Sequence, residues 1–161
     1  MNNPIINQAI ELRRAGQFSE SRSLLLQLLD DPDVSSVAHL HMAWSFDNEG
    51  LEHEAVPHYR SSLSGQLSEP DYFDALFGLA STLRSLGSYV EALKYFEELI
   101  SKYPNSKAVL PFYAMCLYNQ GQYKHGMEIL LGLLADTTES PEIREYEKAI
   151  RLYASDLDRT W

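Results

Sequence analysis

The apolar residues of this 161-residue chain recur at the spacing of amphipathic helices, and the helices come in pairs separated by a glycine. The pair around Gly87 shows the pattern most clearly. Its apolar positions are Leu76, Leu79, Ala80 and Leu83 before the glycine, and Ala92, Phe96 and Leu99 after it. Glycine suits the left-handed conformation that ends many helices. The pattern therefore predicts helical hairpins, each turning at a glycine.

The turn glycines mark a repeat with a period close to 34 residues. Gly16, Gly50, Gly87 and Gly121 are 34, 37 and 34 residues apart, and a small residue follows each of them five positions later. The three extra residues of the second interval fall in the connection 65–70, where we predict Ser68 to be the N-cap of the next helix. Self-similarity at a fixed period of this length is typical of stacked repeat architectures.

The repeat resembles the tetratricopeptide repeat in its period and its helix–turn–helix form. The copy at 73–106 matches best, with leucines at 76 and 79, the pair Ala92 and Phe96, and a closing Pro104. The resemblance implies an all-α fold, a right-handed α-solenoid of four helix pairs in one domain over 1–161. The implied boundaries are about 2–34, 36–69, 73–106 and 107–139 for the repeats, and about 141–158 for a capping helix.

Two longer strings, 43–59 and 78–87, look like a small bacterial group of tetratricopeptide proteins whose function is not established. This closer resemblance implies about 110–120 residues of common fold. The same resemblance is compatible with a homodimer, and it implies no known catalytic activity.

A concave groove is the predicted functional surface, because one face of each first helix lines the inside of such a superhelix. Most side chains predicted there are large and apolar, which favours a protein partner. The predicted groove residues are Ile6, Ile10, Leu40, Trp44, Asp47, Asn48, Phe77, Ser81, Arg84, Phe112, Met115, Tyr118 and Asn119. The leading hypothesis is a non-catalytic adaptor that binds a peptide or helix of another protein in this groove. The alternative is that neighbouring helices cover most of this face.

The C-terminal helix carries a second candidate surface. Its apolar stripe consists of Ile143, Tyr146, Ile150, Tyr153 and Leu157, with Trp161 beyond it. A solenoid needs a capping element at its end, so we predict that this stripe is buried against the fourth repeat. Aromatic residues are also enriched at interface cores. A homodimeric structural protein, self-associating through this helix or the groove, is therefore the alternative to the adaptor.

The composition narrows the class of partner. Thirteen basic against 23 acidic side chains give a net charge of −10, which disfavours nucleic acids and anionic membranes. No stretch reaches the ~18 apolar residues of a membrane span, and no basic segment opens the chain, so a cytoplasmic location is expected. The single cysteine, Cys116, excludes an internal disulfide.

Catalysis has little support in the sequence. His39 and His41 diverge by roughly 200° on a helix, and His53 and His58 are about 140° from a common face. A helical metal protein or enzyme using His39, His41 and Glu54 is the third hypothesis. No phosphate-binding loop or nucleophile motif occurs, and Cys116 lies among apolar neighbours. We therefore predict no catalytic residue, no metal and no cofactor.

Overall fold

The computed structural model describes residues 3–160, and all regular secondary structure in this range is helical. It contains ten α-helices, a single 3₁₀ turn at Leu26–Leu28 and no strand within residues 3–160. The α-helices are α1 Pro4–Arg14, α2 Phe18–Leu25, α3 Ser35–Glu49, α4 Glu52–Leu63, α5 Glu69–Ser85, α6 Tyr89–Lys102, α7 Val109–Asn119, α8 Tyr123–Thr137, α9 Pro141–Glu145 and α10 Glu147–Ala154.

The four predicted turn glycines all adopt the left-handed conformation. The φ angles are 77° at Gly16, 79° at Gly50, 80° at Gly87 and 76° at Gly121. In the first turn the Gly16 N–H donates to the carbonyl of Arg13, which satisfies a carbonyl that the end of α1 leaves open. A residue with a Cβ is strained at such a φ, so the glycine spacing in the sequence located the turns correctly.

Helix starts are also encoded locally. Ser68 caps α5 as predicted, since its hydroxyl accepts a hydrogen bond from the Asp71 N–H. At the start of α1 the Asn3 side-chain oxygen accepts from the N–H groups of Ile5 at 2.9 Å and Ile6 at 3.3 Å. Both caps satisfy amide donors that have no partner inside the helix.

Replacing Asn3 by alanine is expected to lower the free energy of unfolding by about 1 kcal/mol, because two amide donors lose their acceptor. Urea titration followed by circular dichroism measures the change. Gln17→Ala is the matched control, because Gln17 precedes α2 without a side-chain cap hydrogen bond. Equal losses in the two variants would contradict a capping role for Asn3.

The helices form two compact units that divide between Ser88 and Tyr89. Unit 1 holds α1–α5. In it α3 packs against α1, α2, α4 and α5. One of its buried clusters joins α1, α2 and α3. The members of that cluster are Ile6, Ala9, Leu25, Leu28, Val34, Ala38 and Met42.

Unit 2 holds α6–α10, with α7 packed against α6 and α8, and α10 packed against α8. Its most buried large side chains are Phe96 and Leu99 of α6 and Val109, Cys116 and Leu117 of α7. The α7–α8 contact is close because Gly126 is buried on α8. A Cβ at this position would lie 3.0 Å from the carbonyl oxygen of Ala114.

The C-terminal segment differs from the prediction of one helix over about 141–158. The chain instead forms α9 and α10, which are separated at Tyr146, where ψ is 6°. The predicted stripe is not buried as a whole: Ile143 and Ile150 are half-buried, whereas Tyr146, Tyr153 and Leu157 are exposed. The side of α10 that is buried carries Ala154, and Leu157 lies beyond the helix end. Trp161 lies outside the described residues.

Candidate functional site

The predicted groove residues of unit 1 lie on its three first helices, α1, α3 and α5. Of these residues, Ile6 is buried and Ile10 packs beside it against the α1–α3 cluster. Leu40 has no exposed surface, so its prediction as a groove residue is wrong. The reason is that α3 is contacted by four other helices, which leaves little of its circumference open.

The remaining residues of this face form a polar and aromatic cluster around Trp44. The Arg13 guanidinium lies 5.2 Å from the centre of the Trp44 ring, and its Nη1 donates to Asn48 Oδ1 at 3.2 Å. The ring of His41 meets the Trp44 ring edge-on at 5.0 Å. We call Arg13, His41, Trp44, Asp47 and Asn48 the Trp44 cluster. Two of its members, Arg13 and His41, were not among the predicted groove residues, and the contacts of Arg13 join α1 to α3.

Asp47 connects the Trp44 cluster to the core of unit 1. Its Oδ2 accepts hydrogen bonds from the Tyr59 hydroxyl at 2.5 Å and the Thr82 hydroxyl at 2.9 Å, so one carboxylate ties α3 to α4 and α5. Burial raises the pKa of Asp47 although both donors lower it. Burial and the nearby carboxylate raise the pKa of Tyr59, which keeps its hydroxyl protonated as the donor.

Three polar atoms of the Trp44 cluster are buried without a hydrogen-bond partner among the described residues. They are Arg13 Nε, His41 Nδ1 and Asp47 Oδ1. Burial, reinforced by the charge of Arg13, lowers the pKa of His41 to about 4, so the ring is neutral near pH 7. Buried polar groups are rarely left unsatisfied. This part of unit 1 therefore has hydrogen-bonding capacity beyond what the chain itself uses.

The other predicted residues of unit 1 lie on α5. Phe77, Ser81 and Arg84 are half-buried, and the Phe77 ring contacts that of Phe73 with centroids 5.9 Å apart. The sequence placed these residues on one side of α5, but it did not show how far their neighbours cover them.

In unit 2 the predicted groove residues form an open surface. Phe112, Met115, Tyr118 and Asn119 are all exposed on α7, and we call them the α7 face. The other side of the same helix is buried and carries Tyr113, Ala114, Cys116 and Leu117. The Tyr118 ring also contacts Tyr123 at the start of α8, with centroids 5.0 Å apart. Phe112, Met115 and Tyr118 thus form a row of exposed large apolar side chains on α7.

The arrangement of the histidines differs from the metal or catalytic site that the sequence suggested for His39, His41 and Glu54. His39 of α3 and His58 of α4 place their Nδ1 atoms 2.8 Å apart, while His41 packs on Trp44 and Glu54 is exposed. Burial lowers the pKa of both His39 and His58. The sequence could not show this pair, because its members lie 19 positions apart on different helices. In residues 3–160 no group of three or more His, Cys, Asp or Glu side chains is placed to hold a metal.

Cys116 is buried in unit 2, and its Sγ lies 3.5 Å from the carbonyl oxygen of Tyr89. A thiol in this position lacks the access that a reactive cysteine needs. Within the described part of the chain, no helix is long and apolar enough to span a membrane.

The helical hairpins, their glycine turns and the repeat period define a helical-repeat protein. A family model described as tetratrico peptide repeat matches residues 36–157. The chain therefore belongs to the tetratricopeptide repeat family, and the predicted fold class is confirmed. The solved structure of MamA of AMB-1, in crystal form C2221, is similar in fold, with a TM-score of 0.63 and 20% identity over 96% of each chain. No curated protein sequence matches the chain.

Tetratricopeptide repeat proteins are generally non-catalytic scaffolds that act through protein partners. The family and the fold thus indicate a protein-interaction or scaffold role for this chain.

Proposed function

We propose that this chain is a cytoplasmic, non-catalytic interaction module that binds an apolar segment of another protein on the α7 face. The exposure of Phe112, Met115 and Tyr118 carries the proposal. These three side chains recur every third residue along one side of a well-packed helix, whereas the residues between them are buried. Exposed apolar rows of this kind favour docking of a partner segment through its side-chain anchors.

The charge of the chain supports a protein partner with basic side chains. A net charge of −10 attracts a positively charged segment and speeds its encounter with the chain. The same charge opposes binding to nucleic acids and anionic lipids, whose phosphates need a basic surface.

The Trp44 cluster and Phe77 in unit 1 remain a second predicted contact surface. Among the described residues Asp47 Oδ1 and His41 Nδ1 are buried without a hydrogen-bond partner, so the carboxylate oxygen is available to accept a hydrogen bond and the imidazole nitrogen to accept or donate one. Phe77→Glu tests this surface separately from the α7 face.

Met115→Glu is expected to weaken partner binding by about 100-fold, because it places a carboxylate where the partner must exclude water. Partners are captured from an extract of the source organism on the immobilised full-length chain and identified by mass spectrometry. Their affinity for purified chain is then measured by calorimetry. The fold is expected to tolerate the change, since Met115 is already 39% exposed.

Val90→Glu is the matched control for this experiment. Val90 is exposed and lies on α6 of the same unit, outside the α7 face. The control variant should bind as the original chain does. Equal affinities of Met115→Glu and the original chain would overturn the proposed role of the α7 face.

A further inference from the structure

The pair of histidines between α3 and α4 has no part in either of the interaction surfaces described above. His39 and His58 place their Nδ1 atoms 2.8 Å apart. Both residues belong to unit 1, and neither is a member of the Trp44 cluster. The pair is also a different set from the one that the sequence suggested, because it joins His39 to His58 and leaves out His41 and Glu54.

The short distance joins two imidazole rings that are both available as ligands. Burial lowers the pKa of His39 and of His58, so both rings are neutral near pH 7. One ring then carries its proton on Nδ1 and donates a hydrogen bond, and the Nδ1 lone pair of the other ring accepts it. Neutral imidazole is the form that binds metal ions. Two such nitrogens that face each other from different helices are arranged as a pair of metal ligands.

Neighbouring side chains support the His58 ring. The Phe46 ring stacks on it, with centroids 5.4 Å apart and an angle of 23° between the rings. On Phe46 lies the guanidinium of Arg22, 4.4 Å from the ring centre, and Arg22 is held in turn by an ion pair with Glu49 at 2.7 Å. The stack orders the His58 ring before any ligand binds, and the Glu49 carboxylate balances the nearest positive charge in this stack. Both effects favour the binding of a cation.

The separation of the two nitrogens indicates the class of metal. Two cis ligands about 2.0 Å from a metal are about 2.8 Å apart at an angle of 90° and about 3.3 Å apart at the tetrahedral angle. The observed 2.8 Å matches the angle of 90°. Square-planar and tetragonal sites of nitrogen and oxygen ligands are typical of Cu²⁺ and Ni²⁺, and Cu²⁺ binds the more tightly of the two. A copper ion thus requires the rings to turn toward a common point, whereas α3 and α4 need not move apart.

We propose that His39 and His58 bind one Cu²⁺ ion, with their Nδ1 atoms as two cis ligands. The Nδ1 proton of the donor ring moves to Nε2 of the same ring by way of solvent, so the pair loses its hydrogen bond and releases no net proton. Within residues 3–160 no third His, Cys, Asp or Glu side chain joins the pair, so water takes the other coordination positions. Both histidines are only half-buried, which lets the ion enter from solvent. The proposal is independent of partner binding by the α7 face.

Calorimetric titration of the full chain with Cu²⁺, at pH 7.5 and without a polyhistidine tag, measures the site. The expected stoichiometry is one ion per chain. His39→Gln and His58→Gln should each weaken binding by about 10-fold or more, because loss of even a residue that only supports a ligand typically costs about 10–100-fold. His53→Gln is the matched control, since His53 is exposed on the same helix as His58, and it should bind copper as the original chain does.

Electron paramagnetic resonance counts the ligands independently of the affinity. With one equivalent of Cu²⁺ the original chain should show hyperfine coupling to two imidazole nitrogens, and either ligand variant should show one. Circular dichroism establishes whether the variants keep the helix content of the original chain.

A further measurement needs no substitution and so does not depend on how the variants fold. Cu²⁺ is paramagnetic and broadens the magnetic resonance signals of nearby nuclei. On addition of Cu²⁺ to the original chain, the ring signals of His39 and His58 should broaden first. The signals of His41, His53 and His125 should broaden only at higher copper concentrations.

Three results would overturn the proposal and leave the pair as a hydrogen bond between α3 and α4. The first is that the original chain binds no copper. The second is that His39→Gln and His58→Gln bind copper as tightly as His53→Gln does. The third is that the broadening begins at a histidine outside the pair. Tighter binding of Zn²⁺ than of Cu²⁺ would contradict the 90° arrangement of the two ligands.

Discussion

Replacing Gly78 by alanine is expected to lower the free energy of unfolding by about 3 kcal/mol, a cost at the upper end for overpacking a tight core. A Cβ at position 78 would lie 2.5 Å from Cε1 and Cζ of Tyr59 and 2.6 Å from its hydroxyl oxygen. Real side chains do not approach this closely, so either the Tyr59 ring or α5 must move.

Tyr59 has little freedom to move away. Its side chain is only 1% exposed, and its hydroxyl donates to Asp47 Oδ2 at 2.5 Å. A displaced ring would leave the half-buried Asp47 carboxylate with Thr82 as its remaining donor. The cost therefore combines steric strain with the weakening of a hydrogen bond to a charged group, which contributes about 1.5–3 kcal/mol.

Gly132→Ala is the matched control, because Gly132 lies in the middle of α8 and a Cβ there meets no atom within 4 Å. Alanine should stabilise this helix by about 0.5–1 kcal/mol, since it restricts the unfolded chain more than glycine does. Urea unfolding followed by circular dichroism measures both variants. Equal stability of Gly78→Ala and the original chain would contradict the close contact.

The contact with Tyr59 can be isolated by a double-mutant cycle. In a Tyr59→Leu background the aromatic atoms that the new Cβ would strike are absent, so Gly78→Ala should cost far less. A full cost in that background would mean that the strain arises elsewhere on α5.

The sequence predicted those parts of the fold that depend on neighbours along the chain. A glycine with positive φ and a serine cap act within one helical turn, which is why Gly16, Gly121 and Ser68 could be assigned correctly. The close approach at Gly78 could not be predicted. It depends on the ring of Tyr59, 19 positions earlier, which crosses α5 at that residue.

The sequence also could not show which sides of each helix are buried by neighbouring helices. Leu40 looked like a groove residue by its phase, yet four helices surround α3 and bury it completely. Leu130 of α8 is 39% exposed, and the sequence could not show this, because apolar residues occur on nearly every side of α8 and periodicity cannot show which side lacks a neighbour. The number of helices packed around an element is a property of the tertiary fold.

Lowering the pH from 7.5 to 5 is expected to cost the folded chain about 2 kcal/mol through His41 alone. Burial and the charge of Arg13 lower the pKa of His41 to about 4, and the attraction of Asp71 offsets this in part. In the unfolded chain a histidine has a pKa near 6.5. At pH 5 the unfolded state therefore binds a proton that the folded state does not, and stability falls as the pH falls.

Other buried groups also contribute to the pH dependence of the free energy of unfolding. Burial lowers the pKa of His39 and of His58, so their contributions have the same sign as that of His41. The raised pKa of Asp47 acts in the opposite direction, since the folded state holds that proton longer and loses stability as the pH rises. The contribution of His41 is thus obtained from a difference between variants measured at both pH values.

The comparison uses His41→Gln, which keeps a polar side chain beside Trp44 and does not titrate. Between pH 7.5 and 5 the original chain should lose about 2 kcal/mol more than this variant, by urea unfolding at each pH. His53→Gln is the control, because His53 is exposed on α4, and it should follow the original chain. A His41→Gln chain with the same pH dependence as the original would mean that the His41 ring binds its proton equally well in the folded and unfolded states.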